Sequence, residues 1–395
     1  MIHMNKNNIT YLVGNETLQI KPMPVYSDLV CDFLNDLSAL LRKDNRAKQF
    51  PDIMTFAFWC RKANILKLKE EYPCAQTRVG RGLVFHIAPS NVPINFAYTL
   101  VFGILSGNAN VVRVSEKGFE QTEIVCGVLN RLLEQEKYRL LAGQIQIVSY
   151  GHDASVNQYY SGICNVRVIW GGDATIREIR KGQLLPRSTE ITFADRYSFG
   201  IFDERAVSAL PQEELTALAE KFYNDTYLMD QNACSSPHTI FWLNGDGAGR
   251  KRFWETLCRT AGKYDLSDKK VMDKYTMLCE NAVYFDEVTS CESYGNLLYV
   301  AALGALPEKI EDIRGRFGLF YEKDIDAMQD ICGLLSEKVQ TCVVFGVEKK
   351  DVVQCLTDNY VQGVDRVVSV GDAMDIGVYW DGYDVIGSLS RGIEY

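Results

Sequence analysis

A chain of 395 residues with 47% hydrophobic and 24% charged residues has enough apolar material for sizeable cores, which excludes a disordered chain. At roughly 100–200 residues per domain it is too long for one domain, and two are expected. A net charge of −9 and a pI near 5.2 exclude nucleic acid as the main partner, because phosphate contacts need a basic surface.

The N-terminus MIHMNKNNITYLVG lacks the apolar run of a signal peptide. The longest apolar stretch, Val92 to Leu105, is broken by Asn95 and Gly103 and is too short for a bilayer about 30 Å thick. A cytoplasmic location with no membrane span is the expectation. Residues 1 to about 78 predict a short strand region and then helices, over Asp28–Arg42 and, less cleanly, Asp52–Glu71.

From Arg78 to Asp203 short β-branched runs alternate with amphipathic segments. The spacing predicts a strand over Gly82–Ile87, a helix over Ile94–Leu105, a turn at Gly107–Asn108 and a strand through Val111–Val114. A helix over Thr122–Gln135 and strands over Ile145–Val148 and Val166–Trp170 follow. Parallel strands need crossover connections, so this alternation predicts a parallel sheet with helices on both faces and ligands beyond the strand C-termini. The second half opens with a helix over Pro211–Tyr223, a polar loop ending in DQNACSSP, and a strand over His238–Leu243.

Three loops admit a structural and a functional reading. In APSNVP, Ala88–Pro93, the prolines suit a rigid turn, while Pro89 and Ser90 end a strand where ligands gather and the Asn91 amide suits a developing oxyanion. In GNANVVRVSE, Gly107–Glu116, the polar residues Arg113, Ser115 and Glu116 are either solvated or in reach of adenosine ribose hydroxyls. In WGGD, Gly171 and Gly172 allow close backbone approach to a pyrophosphate at a helix start, whereas Asp173 is an anion there and suits a helix cap.

Twelve cysteines without any CxxC pair, and four histidines, give no zinc pattern, so no metal is expected and most cysteines read as reduced core residues. Cys234 differs by lying in a polar loop of small residues, where a thiolate can be stabilised. His238, four residues on, reads as packing under strand alternation rather than as a base for it.

Together HIAPSNVPINFAYTLVFGILSGNANVVRVSE, VRVIWGGDATIREIR, FADRYSFGIFD, DQNACSSP and GVDRVVSVGDAMDIGVYWDGYDVIGSLSR resemble the aldehyde dehydrogenase superfamily. Within it the resemblance is to the acyl-CoA reductase family typified by the LuxC fatty-acid reductase of bacterial luminescence. It implies an aldehyde-dehydrogenase-like α/β fold of two Rossmann-like domains with a cleft between them. Residues 1–203 would hold the helical N-terminal segment and the nicotinamide-cofactor domain, and residues 204–395 the catalytic domain.

By the same resemblance Cys234 matches the acylated nucleophile, and Asn91 the oxyanion-hole asparagine. Pro89, Ser90, Arg113, Ser115, Glu116, Gly171, Gly172 and Asp173 fall at cofactor-binding places. Two departures stand out: Phe193 occupies the place of the glutamate that activates water, and Gly315 in RGRFG that of the glutamate holding the nicotinamide ribose. Loss of the water-activating base suits a thioacyl-enzyme that waits for hydride.

The implied activity is NAD(P)H-dependent reduction of an acyl thioester, on CoA or a carrier, to an aldehyde. NADPH is the cofactor that the family implies and NADH the alternative, since Glu116 would face a 2′-phosphate. An acyl-protein synthetase partner is implied by resemblance alone. A cofactor-independent acyltransferase or thioesterase using the same cysteine, and a non-catalytic scaffold, are the rival readings. The sequence closes on SLSRGIEY, without the extended segment by which aldehyde dehydrogenases pair subunits, which leaves the oligomeric state open.

Overall fold

The computed structural model describes residues 8–72, 77–151, 153–245 and 247–395. The chain divides into two units: residues up to Ala194 together with Gly377–Tyr395, and Asp195–Ile376.

The first unit contains β1 (Thr10–Val13), β2 (Thr77–Gly80), β3 (Leu83–Ile87), β4 (Ala109–Val114), β5 (Ile145–Ser149), β6 (Val166–Trp170) and β7 (Thr189–Phe193). Six of these form one sheet in the order β1-β5-β4-β3-β6-β7, parallel except for β1, which runs antiparallel along β5. Every residue of β3 is buried, as expected of a central parallel strand covered on both faces. The helix Asn95–Leu105 packs beside it and is buried almost all round, which is why its sequence NFAYTLVFGIL shows no polar stripe.

Chain order explains where this sheet should bind. After β3 the chain moves to β4 and β5 on one side, then crosses back to β6 and β7 on the other, so β3 and β6 flank the topological switch point. The expected helix over Asp52–Glu71 is two helices, Pro51–Trp59 and Lys62–Glu71. Arg61 leaves the helical region at φ −60°, ψ 140°. The carbonyls freed by the break are satisfied locally: Arg61 Nε donates to Phe58 O at 3.1 Å and Asn64 Nδ2 to Trp59 O at 2.8 Å.

The second unit is built on β8 (Tyr197–Asp203), β9 (Pro237–Leu243), β10 (Val288–Tyr294), β11 (Leu298–Leu303), β12 (Leu319–Asp324), β13 (Val339–Phe345) and β14 (Arg366–Ser369). Their order is β10-β11-β12-β9-β8-β13-β14, and only β10 is antiparallel to its neighbour. Separate hydrophobic clusters cover its two faces. One is aromatic-rich: Phe202 meets Phe222, Trp242 and Phe253 edge-on at centroid distances of 5.5–5.9 Å. The indoles of Trp242 and Trp254 both donate to Glu322 Oε2, at 2.9 and 2.8 Å, so this half-buried carboxylate is paired.

The chain then returns to the first unit through β15 (Tyr379–Trp380), β16 (Tyr383–Asp384) and β17 (Ser390–Ile393). β17 pairs antiparallel with β2, and Arg78 fastens the ribbon by donating to Ser390 Oγ and Gly387 O, each at 2.8 Å.

Candidate active site

At the switch point of the first unit, the loop after β3 leaves Ser90 and Asn91 exposed and Pro89 half-buried, and Ala88 N is still held by Arg113 O at 3.0 Å. After β6, Gly171 N donates to Phe193 O at 3.1 Å, and Gly172 caps the helix Asp173–Ile179. A Cβ on Gly171 would sit 3.1 Å from the Thr175 side chain, whereas one on Gly172 would meet nothing within 4 Å. Gly171 is therefore tightly packed, and Gly172 leaves open space before the helix. Asp173 is exposed at the first helical position.

Beyond β4, Ser115 Oγ accepts from Lys117 N at 3.3 Å in a local turn, and Glu116 projects outward beside Gly151. A Cβ on Gly151 would come within 3.1 Å of Glu116 Oε2. Arg113 turns towards Tyr150: its Nη2 donates to Tyr150 O at 3.3 Å and its guanidinium lies 5.4 Å from the ring centroid. Its buried Nε has no partner. All eight sequence-predicted cofactor residues and Asn91 thus lie at or just beyond the carboxyl ends of three adjacent strands, β4, β3 and β6.

A buried polar chain that the sequence did not reveal fixes this edge from below. Asn110 Nδ2 donates to Asn108 O at 2.7 Å, which turns Asn110 Oδ1 towards His86 Nε2 at 3.0 Å. His86 then carries its proton on Nε2 and accepts at Nδ1 from Thr99 Oγ1, 2.7 Å away, while Thr99 Oγ1 accepts from Trp170 Nε1 at 3.2 Å. Burial lowers the His86 pKa to about 4, so the imidazole is neutral and the chain keeps one polarity. Gly103 makes room for it, since a Cβ there would lie 1.9 Å from Asn110 Oδ1.

Trp170 is thereby held with its indole stacked on Phe193, ring centroids 3.7 Å apart, and Tyr383 closes on Phe193 edge-on at 5.7 Å. Phe193, which the resemblance sets at the place of the water-activating glutamate, is therefore a stacked aromatic side chain, 7% exposed.

In the second unit, Cys234 is half-buried in the segment entering β9. Asp230 and Gln231 ahead of it adopt left-handed φ values of 55° and 58°, which tie the end of the preceding helix into a sharp turn. The buried Gln231 side chain holds that turn: Nε2 donates to Pro237 O at 3.2 Å and Leu319 O at 3.0 Å, and Oε1 accepts from Gly318 N at 3.2 Å. Ser198 Oγ donates to Cys234 O at 2.6 Å, and Ser236 Oγ donates to Asp225 O at 2.8 Å. The signal for Gln231 was present in DQNACSSP, but a buried amide is indistinguishable from a solvated one in sequence.

His238 is buried, stacked on Tyr197 at 5.1 Å, and bonded through Nδ1 to Gly315 O at 2.9 Å. Burial lowers its pKa to about 3, so it stays neutral and is spent on packing. At Gly315 a Cβ would lie 1.8 Å from Leu319 O, so no glutamate fits this backbone.

Six of the eleven described cysteines are buried, in line with the expectation that most are core residues. Cys279 and Cys291 are exposed, on the helix Asp268–Tyr284 and on β10, neither of which buries more than one of its residues. Burial pushes the Cys126, Cys164 and Cys332 thiols up to about 12. Exposure alone therefore does not single out Cys234. Among the described residues no group of three or more His, Cys, Asp or Glu could hold a metal ion, and no helix is long and apolar enough to cross a membrane.

A family model described as "Acyl-CoA reductase (LuxC)" matches residues 20–291, which include Asn91 and Cys234. The chain belongs to the LuxC acyl-CoA reductase family. No curated protein matches it. Solved structures show the fold: aldehyde dehydrogenase 21 from Physcomitrella patens superposes with a TM-score of 0.64 at 11% identity, covering 92% of this chain and 84% of that one. A 1-pyrroline-5-carboxylate dehydrogenase from Thermus thermophilus gives 0.61 at 14%, covering 92% and 80%. An NAD-dependent benzaldehyde dehydrogenase from Corynebacterium glutamicum gives 0.60 at 12%, covering 93% and 85%. This LuxC-family chain thus has an aldehyde-dehydrogenase-like α/β fold with two Rossmann-like sheets. Family membership supports an oxidoreductase acting on acyl or aldehyde groups and implies a nicotinamide cofactor.

Proposed function

We propose that the protein reduces an acyl thioester, on CoA or a carrier, to an aldehyde through a thioacyl-enzyme on Cys234. The observation that carries this reading is a half-buried thiol in a loop pinned by Gln231, Ser198 and Ser236, inside the segment matched by the family model. The Cys234 thiolate attacks the thioester carbonyl, with the Asn91 amide and the Cys234 backbone N–H as donors to the oxyanion. The tetrahedral adduct collapses by breaking the bond to the departing thiolate and leaves the acyl group on sulfur.

The residues of the first unit fit a dinucleotide: the switch point is open at Gly172, Ser90 and Asn91 are exposed there, and Arg113 keeps an unspent buried N–H. Ser90, Gly171 and Gly172 would line the phosphates, and Arg113, Ser115 and Glu116 the adenosine ribose. When bound, the reduced nicotinamide supplies the hydride that turns the thioester into aldehyde and frees Cys234. The Phe193–Trp170 stack offers no base to water, so the acyl-enzyme persists until then. The family implies NADPH, while one observation favours NADH: Glu116 is exposed and Arg113 is turned to Tyr150, leaving a carboxylate to meet a 2′-phosphate.

Acyl-CoAs of graded chain length, each with NADPH and with NADH, test the reading by absorbance at the reduced-cofactor band. Thioester-dependent oxidation with aldehyde formation is expected. Thioester cleavage without cofactor oxidation would establish the acyltransferase or thioesterase reading instead.

A further inference from the structure

Asp225 is a fully buried carboxylate in the helix Gln212–Thr226 for which the reaction above has no use. Its Oδ2 accepts from Gly371 N at 2.6 Å and its Oδ1 from Ala373 N at 3.1 Å, so it grips the loop after β14 by its amides. Arg366 grips the same loop by its carbonyls, donating to Ala373 O and Asp375 O at 3.0 Å and to Asp372 O at 3.4 Å. Gly371 takes φ +101°, and a Cβ there would press on Lys221 at 3.0 Å, so the loop has little freedom to find another path.

Both ends of this clamp reach the nucleophile's segment. Ser236 Oγ, two residues beyond Cys234, donates to the main-chain oxygen of Asp225, and Ser235 Oγ lies 3.7 Å from Met374 Sδ on the gripped loop. We propose that Asp225 is a positioning residue for Cys234: its ionised carboxylate fixes the 371–374 loop, and together they set the segment that presents the thiol to a thioester. This rests on Cys234 being the acylated residue.

The clamp needs the charged form, because a carboxylate accepts two amide bonds that a neutral carboxyl group serves poorly. Burial pushes the Asp225 pKa up to about 7, against the two amide bonds, and the charges around it include Asp372 and Asp375 on the loop, which raise it further. Arg366 from β14 and Lys221 from its own helix adjoin the same loop. The clamp is thus formed above about pH 7 and released as pH falls below it.

Two reagents separate positioning from thiol ionisation: decanoyl-CoA without cofactor, which must be presented to the sulfur, and iodoacetamide, which need not be. Both rates at Cys234 follow the thiolate fraction, so their ratio cancels it. In wild type the acylation-to-alkylation ratio should fall as pH is lowered through about 7. In Asp225→Asn it should be down about 10- to 100-fold at high pH and lose that step, with alkylation near wild type.

Wild type that is never acylated at Cys234 overturns the functional reading and this proposal with it. Normal acylation with a ratio that is flat with pH in wild type, or unchanged in Asp225→Asn, overturns the proposal alone. If Asp225→Asn does not fold, Ser236→Ala decides: a lowered ratio that keeps the pH step supports the clamp, and an unchanged ratio overturns it.

Discussion

The two sheets present their candidate residues at opposite strand ends. In the first, the candidate residues stand at or beyond the carboxyl ends of β4, β3 and β6, beside the switch point, where open α/β sheets bind ligands. In the second, Cys234 precedes β9 and so lies at the amino end of its strand. The equivalent switch point there, between β8 and β13, instead borders an open groove of about 680 Å³ lined by Leu210, Lys221, Phe345 and Lys349. The topological rule therefore finds the loops proposed for the cofactor and misses the proposed nucleophile, whose segment is held by specific side chains, Gln231, Ser198 and Ser236.

That contrast can be broken from either side. Cys234→Ala should lower acyl-CoA reduction by about 10,000-fold or more in steady-state assays, and a loss under tenfold would move the chemistry away from the amino end of β9. Asn91→Ala should cost about 100- to 1000-fold in kcat with KM for the thioester little changed, as loss of one oxyanion donor does; wild-type turnover would leave the β3 loop to the cofactor alone. Gln231→Ala leaves Gly318 N, Leu319 O and Pro237 O without this partner, at about 1–3 kcal/mol for each group left unsatisfied. Urea unfolding should show the loss, and an unchanged midpoint would mean that the turn is held by its backbone.

Thr99→Val removes the link between His86 and Trp170 and should cost about 1–3 kcal/mol, with a shift in indole fluorescence that Trp170→Phe abolishes. An unaltered spectrum would show that stacking on Phe193 suffices. The smallest effect is on cofactor choice. Glu116→Ala should improve kcat/KM for NADPH relative to NADH by up to about tenfold, fading with salt because the site is exposed. An unchanged ratio would place the ribose elsewhere.

The fold was legible where burial leaves a compositional trace. β3, β4 and β6 read as strands because both of their faces are covered and most of their residues are β-branched or aromatic, and Gly107–Asn108 read as a turn, where Gly107 takes φ +80°. The break at Arg61 was not legible, since neither proline nor glycine marks it and a side-chain bond replaces the lost helical ones. Nor was the return of Gly377–Tyr395 to the first unit, which depends on Arg78 meeting Ser390 across more than three hundred residues.

At the site, the loops were legible by their turn residues and Cys234 by its polar surroundings. Long-range partnerships were not: His86 with Thr99 and Asn110, and Asp225 with Gly371 and Ala373, join residues whose types are common in many roles. Gly315 is intermediate. Sequence marks the missing glutamate, but only the approach of Leu319 O shows that no side chain fits.

The central claim is that the fastened loop, and not exposure, selects the nucleophile. The direct measurement is peptide mass spectrometry of the protein after incubation with an acyl-CoA in the absence of cofactor. The acyl adduct should appear on the peptide containing Cys234, with Cys279 and Cys291 unmodified although both are more exposed. An adduct on either of those two, or the same adduct in Cys234→Ala, would contradict it.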